Sequence, residues 1–446
     1  MFLPLLAAAM ALPEPAQCQS IATDPNAALS YSTALQGYIY GYPIVDMLKQ
    51  QHNETHRVRA DQPVVAPVNT LAPYPHVLTP ATQGQLRAAN ADTLYVNAWV
   101  DLSRGPVLLD VPDMAGRYYT LAFMDQYARP WHLGTRTNSG KAKRYALVGP
   151  SGGTVPEGTE IFRLPTDTAW MLGRILVDGM QDGPKAMAVA RSIRMTGPAG
   201  APVTDADAIN PMASLDYFRL LNGALKTLPR LPHEAALMAQ FDQAGFGPSV
   251  TFDPEKASAS QKLGMGCALS IGATVLAKQG FKPDRFVNGW MSRSDVGDPG
   301  TNYLLRAELV RGGYVNAPEE SIYPAGVIDN KGEPLTGTRQ YRIRFAAGQE
   351  PPANAFWSLT PYDSKTNQLT ENPIRRYQFG DRTKGAKRGK DGSLTIILSA
   401  TQPKDGKANW LPTPTGAYHI VARLYLPRAE ALDGRYSLPQ IERITP

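Results

Sequence analysis

Cysteine is scarce in this chain, since its 446 residues contain only Cys18 and Cys267. Cys18 lies within the leading segment 1–20, so loss of that segment leaves Cys267 unpaired, and we expect no disulfide framework. Long apolar runs are also lacking. Residues 2–12 are apolar, which is shorter than the roughly 20 residues of a membrane-spanning helix. The sequence therefore predicts no stable membrane span.

Runs of basic residues interleaved with aromatic residues are absent as well, although the formal net charge is +6. The basic segment KGAKRGK at 384–390 precedes DGS, a pattern that is typical of a solvated hairpin loop. We therefore predict no nucleic-acid partner. A small-molecule ligand or substrate is the expected partner, and the sequence is also compatible with a homo-oligomer.

The leading segment MFLPLLAAAMALPEPAQCQS follows its apolar run with proline and small residues. This layout is typical of a secretory signal peptide, although no Lys or Arg precedes the apolar run. We expect residues 1–20 to be removed and the protein to be periplasmic or secreted.

Proline and glycine number 39 each and are spread along the chain, which favours many short strands and turns. Strand-like segments fill 60–170 and return after 322, where alternate residues from Tyr418 to Leu426 share one apolar face. Between 205 and 310, apolar residues recur at helical spacing. The predicted fold class is mainly β with a helical middle (α+β), in which a helical segment joins two antiparallel β-sandwich or jelly-roll-like regions.

The predicted domains follow these changes of pattern. After the signal peptide come a helix plus β-rich domain (27–190), a helical middle region (200–315) and a C-terminal jelly-roll-like sandwich (320–446). Pro43 predicts a kink or break in the first helix, which spans 27–50.

Two short motifs would form a catalytic or metal site only if the surrounding secondary structure is suitable. GPSGG at 149–153 matches a nucleophile elbow, but the next segment reads as a strand rather than a helix, so Ser151 is predicted to lie in a hairpin. QHNETHR at 51–57 places His52 and His56 one helical turn apart. Glu54 would point elsewhere on that helix, and we predict no metal site.

The segment MDQYARPWHLGTR at 124–136 is the densest in usable chemistry. Its carboxylate, phenol, guanidinium and imidazole groups suit acid–base catalysis and anion binding. We predict Asp125 or His132 as general base, Tyr127 as acid or oxyanion donor, and Arg129 or Arg136 as anion clamp. The alternative is a polar strand end whose charges pair with one another.

Aromatic residues mix with Asn, Asp and Arg at strand ends of the C-terminal region, as in FWSLTPYD and NWLPTPTG. Trp357, Tyr362 and Trp410 are the predicted walls of an aromatic cleft. Arg376, from ENPIRRYQFGDRT, is a further predicted substrate-binding residue. The alternative is that these residues only form turns and structural ion pairs.

The segment NADTLYVN at 90–97 carries an amide and an acid at the head of a buried strand. Asn and Asp side chains bond neighbouring backbone amides in turns, so both are either turn formers or ligands of a site. We expect Asn90 to build the turn and Asp92 to face a pocket, and both are candidate substrate-binding residues.

A recognisable set of segments runs along the chain: YIYGYPIVDM, NADTLYVNAWVDLSRGPVLLDVPD and RYYTLAFMDQY, then FWSLTPYD, NPIRRYQFGDR and ANWLPTPTG. The chain resembles the mostly bacterial two-part family of domain of unknown function 1254 (N-terminal) and domain of unknown function 1214 (C-terminal). The resemblance implies an exported protein with a β-rich first half and a jelly-roll-like second half, and it transfers no catalytic role. The family-marking polar residues are Asn90, Asp92, Thr93, Tyr95, Trp357, Tyr362, Asn372, Arg376, Tyr377, Asp381 and Arg382.

Two functions fit these residues. The first is an exported enzyme that acts on a small organic molecule by acid–base hydrolysis or elimination, with substrate and cofactor unknown. The second is a non-catalytic periplasmic protein that binds a small molecule or carbohydrate by stacking it on Trp357, Tyr362 and Trp410. A structural envelope protein is a third alternative, which the lack of repeats disfavours.

Overall fold

A computed structural model describes residues 12–57, 62, 64–84, 86, 88–201, 203, 211–279 and 282–444. Residues 1–11 of the predicted signal peptide lie outside the described residues. Antiparallel sheets in both halves and helices between them confirm the predicted α+β fold class. The predicted domain limits stay predictions.

The helices of the described chain gather mainly in its middle third, apart from one long helix near the start. They are α1 (Pro15–Cys18), α2 (Pro25–Thr55), α3 (Thr135–Asn138), α4 (Gly183–Ser192), α5 (Asp216–Thr227), α6 (Ala235–Gln243), α7 (Ala259–Gln279), α8 (Tyr303–Gly312) and α9 (Ala429–Leu432).

Helix α2 begins where Asp24 caps it. The Asp24 carboxylate accepts hydrogen bonds from the amides of Asn26 (3.0 Å) and Ala27 (3.1 Å), and Pro25 occupies the first helical position. The helix continues through Pro43, so the predicted break does not occur there. Because α2 packs against α5, α7 and α8, it lies with the helices of the middle region.

Helices α2 and α7 approach each other closely, as the small residues of α7 predict. A Cβ atom on Gly264 would lie 2.5 Å from the carbonyl oxygen of Ala27, so this crossing requires glycine. Cys267 in α7 forms a disulfide with Cys18, with Cα atoms 5.7 Å apart. The expectation of an unpaired Cys267 is therefore wrong, because residues 12–20 belong to the folded chain and keep Cys18 in place.

The strands form sheets within each half. They are β1 (Ala72–Pro73), β2 (Thr93–Asp101), β3 (Val107–Val111), β4 (Tyr119–Asp125), β5 (Pro130–Gly134), β6 (Lys143–Val148), β7 (Glu160–Arg163), β8 (Thr168–Leu176), β9 (Arg194–Thr196), β10 (Arg285–Val287), β11 (Trp290–Ser292), β12 (Ser321–Ile322), β13 (Ala325–Gly326), β14 (Gln340–Phe345), β15 (Ala353–Asp363), β16 (Phe379–Gly380), β17 (Leu394–Ser399), β18 (Trp410–Pro412), β19 (Tyr418–Pro427) and β20 (Glu442–Ile444).

Each half contains two of these sheets. In the N-terminal half, sheet 1 has the order β1-β2-β8-β4-β5 and sheet 2 the order β7-β6-β3-β9. In the C-terminal half, sheet 3 has the order β10-β11-β13-β19-β15-β16, with β12 also paired to β19, and sheet 4 has the order β18-β17-β14-β20. Most neighbours are antiparallel, whereas β6–β7 and β17–β18 are parallel.

Strand β14 shows the predicted alternation. Tyr341, Ile343 and Phe345 are buried between sheets 3 and 4, while Arg342 and Arg344 face solvent. Strand β19 differs, because its second face is buried as well. That second face lies against sheet 1 and carries the polar residues described below. None of the described helices is long and apolar enough to cross a membrane.

Cys18→Ser is expected to lower the free energy of unfolding by about 2–4 kcal/mol, because a cross-link between residues 249 positions apart restricts the unfolded chain. Denaturant unfolding under non-oxidising and non-reducing conditions measures the difference from wild type. Cys267→Ser is the matched control and should lose the same amount. Equal stability of wild type and both variants would contradict a structural role for the disulfide.

Candidate functional site

Sheets 1 and 3 face each other at the boundary between the two halves, and each contributes polar side chains from one face. On sheet 1, Tyr95 stands opposite Arg174 in the strand register. On sheet 3, Ser358 stands opposite Arg423, and Tyr425 shares their face. The polar residues at this boundary, here termed the junction cluster, are Asn90, Asp92, Tyr95, Arg174, Tyr323, Ser358, Tyr362, Arg423 and Tyr425.

Asn90 builds the turn before β2, as predicted, and also spans the boundary. Its Oδ1 accepts hydrogen bonds from the amides of Asp92 and Thr93, each at 3.0 Å. Its Nδ2 donates to the hydroxyls of Tyr95 (3.0 Å) and Tyr425 (3.1 Å). One amide side chain therefore fastens the local turn and ties it to the C-terminal half.

Asp92 is buried and faces sheet 3. Its Oδ2 accepts a hydrogen bond of 2.7 Å from the hydroxyl of Ser358. Burial raises the pKa of the Asp92 carboxyl, against the opposing effects of Arg423 and Ser358. Nearby, desolvation of the carboxyl by the surrounding protein raises the pKa of Asp381 to about 6, although the residue as a whole is exposed. The two carboxyls therefore hold protons more strongly than carboxyls in water do.

Arg423 lies in the middle of an apolar strand and is only 3% exposed. Its Nη2 donates to the carbonyl oxygen of Ala88 and to the hydroxyl of Tyr362, both at 2.7 Å. Within the described residues its Nη1 has no hydrogen-bond partner, and no carboxylate oxygen lies within 4 Å of its guanidinium nitrogens. Its positive charge is thus held by neutral acceptors.

Arg174, 7% exposed, is placed similarly on sheet 1. Its Nη1 donates to Asn316 Oδ1 (3.1 Å) and to the carbonyl oxygen of Leu172 (3.3 Å). Its guanidinium carbon lies 5.5 Å from the ring centroid of Tyr95, a cation–π contact. No ion pair involves Arg174 in the part of the chain that the structure describes.

The junction cluster therefore has a positive electrostatic potential, which affects the pKa values of neighbouring histidines. Burial, then Arg174 and Arg136, lowers the pKa of His132 to about 3. Burial and then Arg423 also lower the pKa of His419. Among the described residues, Thr360 Oγ1 on the same face of sheet 3 and Asn316 Nδ2 are buried without a partner. Together with Arg423 Nη1, these atoms are unpaired hydrogen-bonding groups beside the cluster.

His132 and Arg136 lie near the junction cluster. The amide of Ala317 donates to His132 Nε2 (3.2 Å), so the ring proton is assigned to Nδ1, which lies 3.1 Å from the hydroxyl of Thr120. Arg136 donates to the buried carboxylate of Glu320 at 3.0 Å. Both side chains thus hold neighbouring elements together, and their predicted roles in catalysis and anion binding stay predictions.

Asp125, Tyr127 and Arg129 lie at the opposite end of β4, away from the junction cluster. Asp125 accepts hydrogen bonds from the amides of Tyr127 and Arg129 and from Arg129 Nε (2.8 Å). Tyr127 donates to the carbonyl oxygen of Pro229 (3.2 Å) among the helices. The geometry corresponds to the alternative in which these charges pair with one another.

The predicted aromatic walls lie in different places. Trp357 belongs to the core between sheets 3 and 4, and the buried Trp410 donates its indole N–H to the carbonyl oxygen of Ser399. Arg376 donates to the carbonyl oxygens of Ala408 (3.0 Å) and Trp410 (2.7 Å). Of this predicted group, Tyr362 alone joins the junction cluster. The rings of Trp357 and Trp410 are too buried to stack a ligand in this conformation.

The two short motifs do not form sites in the structure. Ser151 lies in an exposed turn and donates to the Asp167 carboxylate (2.7 Å). Glu54 turns inward and accepts from the side chains of Asn97 and Trp99. No group of three or more His, Cys, Asp and Glu residues within the described ranges is placed to hold a metal ion.

Sequence reasoning missed Arg174, Arg423 and Tyr425 as site residues. A signal was present, because WMLGRILV and HIVARLYL each place one arginine inside an otherwise apolar strand. Such an arginine has no route to solvent when both faces of its strand are buried. A charged residue in a strand without polar alternation therefore indicates a second buried face.

Both segments that match known families contribute to this geometry. Residues 68–197 match the family described as protein of unknown function (DUF1254), and residues 320–429 match the one described as protein of unknown function (DUF1214). Together these segments cover more than half of the chain and contain every residue of the junction cluster. No curated protein matches the sequence.

Solved structures with a similar chain trace exist. The VPA0106 protein from Vibrio parahaemolyticus matches with a TM-score of 0.69 and 23% identity, over 93% of this chain and 100% of that chain. At this identity the likeness shows the fold alone. An uncharacterized protein from Burkholderia cenocepacia gives a lower TM-score of 0.43 and 12% identity, over 96% of this chain and 99% of that chain.

The stability of the fold should depend on pH through His132. Its folded pKa of about 3 lies below the ordinary 6.5, so the unfolded state binds more protons between these values. Stability from the neutral ring is present above pH 6.5 and lost as pH falls, by about 2–3 kcal/mol between pH 7 and pH 4.5.

His132→Gln keeps an acceptor for the Ala317 amide but removes the titration, so its stability should fall less over the same pH interval. Urea unfolding at pH 7 and pH 4.5 measures this difference. The exposed His76→Gln is the control and should behave as wild type. A His132→Gln variant that loses as much stability as wild type would refute the assignment.

Proposed function

Because the chain belongs to the two-part family of DUF1254 and DUF1214 proteins, whose function is unknown, we propose a function from its junction cluster. The protein binds a small organic anion, such as a carboxylate, between its two halves. The single observation that carries this proposal is the burial of Arg174 and Arg423 with no carboxylate partner among the described residues.

The chemistry of the cluster suits such a ligand. A buried charge without a counter-ion is unfavourable, and an anionic ligand would supply the missing charge. Guanidinium groups bind carboxylates with charge-assisted hydrogen bonds, and Arg423 Nη1 is one donor without a partner in the described chain. The hydroxyls of Tyr95, Tyr362 and Tyr425 add polar contacts. Two arginines facing one boundary favour an anion over the carbohydrate that stacking tryptophans would indicate.

Export to the periplasm or medium is part of the proposal. The Cys18–Cys267 disulfide supports it, because disulfides persist in oxidising compartments. The same disulfide favours removal of the leader before Cys18 rather than after residue 20, since the mature chain then keeps both cysteines. Leu12 also packs against the core formed by the helices.

An acid–base enzyme for the same anion is the second candidate. The raised pKa values of Asp92 and Asp381 favour it, because a general acid or base works best near the ambient pH. In this case Asp92 beside Arg423 transfers the proton, in a hydrolysis or elimination. Asp125 and His132 are less suited, since their polar atoms already bond to the protein.

Small anions should raise the unfolding temperature of the wild type, and Arg423→Met should abolish most of this increase. A ligand at 100 times its Kd stabilises the folded state by about 2.7 kcal/mol. Thermal unfolding with acetate, benzoate, succinate or phosphate, against chloride at equal ionic strength, measures the effect.

Arg342→Met is the matched control for this test. Arg342 is exposed on β14 and pairs with Glu442 (2.7 Å), so its loss removes one positive charge far from the junction cluster. It should keep the wild-type response to the same anions. The proposal fails if Arg423→Met responds as strongly as Arg342→Met, or if no anion exceeds chloride.

Asp92→Asn separates the two candidate functions. The amide can still bond Ser358 but cannot transfer a proton, so an enzyme should lose turnover by about 100-fold or more. Anion binding should persist or tighten, because a negative charge has been removed. Product formation from a stabilising anion, followed by NMR, measures turnover.

Asp110→Asn provides the control for this variant, because Asp110 is a surface carboxylate paired with Arg144 (2.5 Å). Turnover that is equal in Asp92→Asn and Asp110→Asn would exclude Asp92 as the acid–base group. Recovery of the bound anion in chemically intact form would support the binding function and contradict the enzymatic one.

A further inference from the structure

A cavity of about 230 Å³ lies in the C-terminal half, and the 313–324 segment forms one of its walls. Strands β10 and β11, the end of α8, strand β19 and the segment 429–438 complete its walls. Its apolar lining includes Val287, Trp290, Val315, Ile322, Leu424 and Leu438.

The inner wall of this cavity is apolar and rigid. Trp290, Leu424 and Leu438 are each at most 5% exposed, so they belong to the packed core. Trp290 donates its indole N–H to the carbonyl oxygen of Pro439 at 2.8 Å, which satisfies its polar atom and fixes the ring. A ligand would meet this wall through van der Waals contact and would remove apolar surface from water.

The charged groups around the cavity already have partners. Arg293 forms a two-point ion pair with Asp295, at 2.5 and 2.8 Å. Arg285 donates to the carbonyl oxygens of Gly434 (2.7 Å) and Tyr436 (3.1 Å), and Asp284 accepts from the amide of Ser294 (2.9 Å). Two arginines and two aspartates lie here, so their charges sum to zero, and Asp284 and Arg285 also reach solvent, unlike the buried arginines of the junction cluster. The cavity therefore favours an uncharged ligand.

From these observations we infer that the cavity is a second binding site, which takes a small uncharged aromatic or apolar molecule. Its size supports this class of ligand. An apolar protein cavity of about 150 Å³ binds benzene, so the larger volume here suits a bicyclic ring. Drug-sized ligands occupy about 300–1,000 Å³, which is more than this cavity offers.

The second site is distinct from the junction cluster but adjacent to it. Val315, Pro318 and Tyr323 line the cavity, whereas the Oδ1 atom of Asn316 accepts a hydrogen bond from Arg174. The segment 313–324 therefore borders both sites, and Tyr323 belongs to both. Binding in the cavity rests on apolar contact and does not require the proposed anion.

Indole is a suitable probe, because it is bicyclic and uncharged at neutral pH. Isothermal titration of the full chain should show saturable binding to one site. Val287→Trp and, as a smaller change, Ala431→Leu add side-chain volume at the cavity wall, and each should weaken binding at least tenfold. Ile161→Trp is the control, since Ile161 is 47% exposed on β7 in the other half, and it should bind as wild type.

Two results would overturn the inference. One is the absence of saturable binding by wild type up to the solubility of indole. The other is equal affinity of wild type and a folded Ala431→Leu or Val287→Trp variant, with folding verified by circular dichroism. Weaker binding by both wall variants together with normal binding by Ile161→Trp supports it.

Discussion

The burial of both faces of strand β19 is the constraint on which the structure of the junction depends. One face carries Ile420, Ala422 and Leu424 into the core between sheets 3 and 4, and the other carries Arg423 and Tyr425 against sheet 1. An arginine on a strand that is buried on both faces cannot reach solvent. Backbone carbonyls and phenol oxygens must therefore solvate the guanidinium, because an unsolvated charge would be strongly destabilising.

This requirement accounts for the conformation of the loop before β2. The carbonyl oxygens of Ala88 and Ala89 accept hydrogen bonds from Arg423 and Tyr362 of the C-terminal half. Ala88 has a φ of 51°, a left-handed conformation that costs a non-glycine residue on the order of 1 kcal/mol. Asn90 then fastens the turn. Bonds to the opposite half thus offset local strain in the loop.

Much of the fold could be predicted from sequence, because it depends on local periodicity. The α+β class, the alternation in β14 and the close packing of α7 follow from spacing, and Asn90 was correctly predicted to form a turn. The spacing of apolar residues does not predict which element packs against the second face of a strand, because that depends on the tertiary structure. For this reason spacing alone does not reveal the polar face of β19, and the sequence favours Asp125 over Arg423.

The pairing of Cys18 with Cys267 is a second tertiary contact that the sequence pattern does not predict. Segment 1–20 was treated as one unit from its composition, although its last residues pack on α7 and keep their cysteine. Composition describes the apolar start of such a segment, but only contacts show where the folded chain begins.

The two matched segments depend on each other for the chemistry of the junction. Arg423 from the second half donates to Ala88 of the first, and Asp92 from the first accepts from Ser358 of the second. In either half alone, one wall of the cluster would be exposed to water. Water would then solvate its charged side chains in place of the protein groups that bond them in the joined chain. The burial of both arginines therefore depends on the two halves packing together. The DUF1254 and DUF1214 segments therefore each supply one wall of the junction cluster.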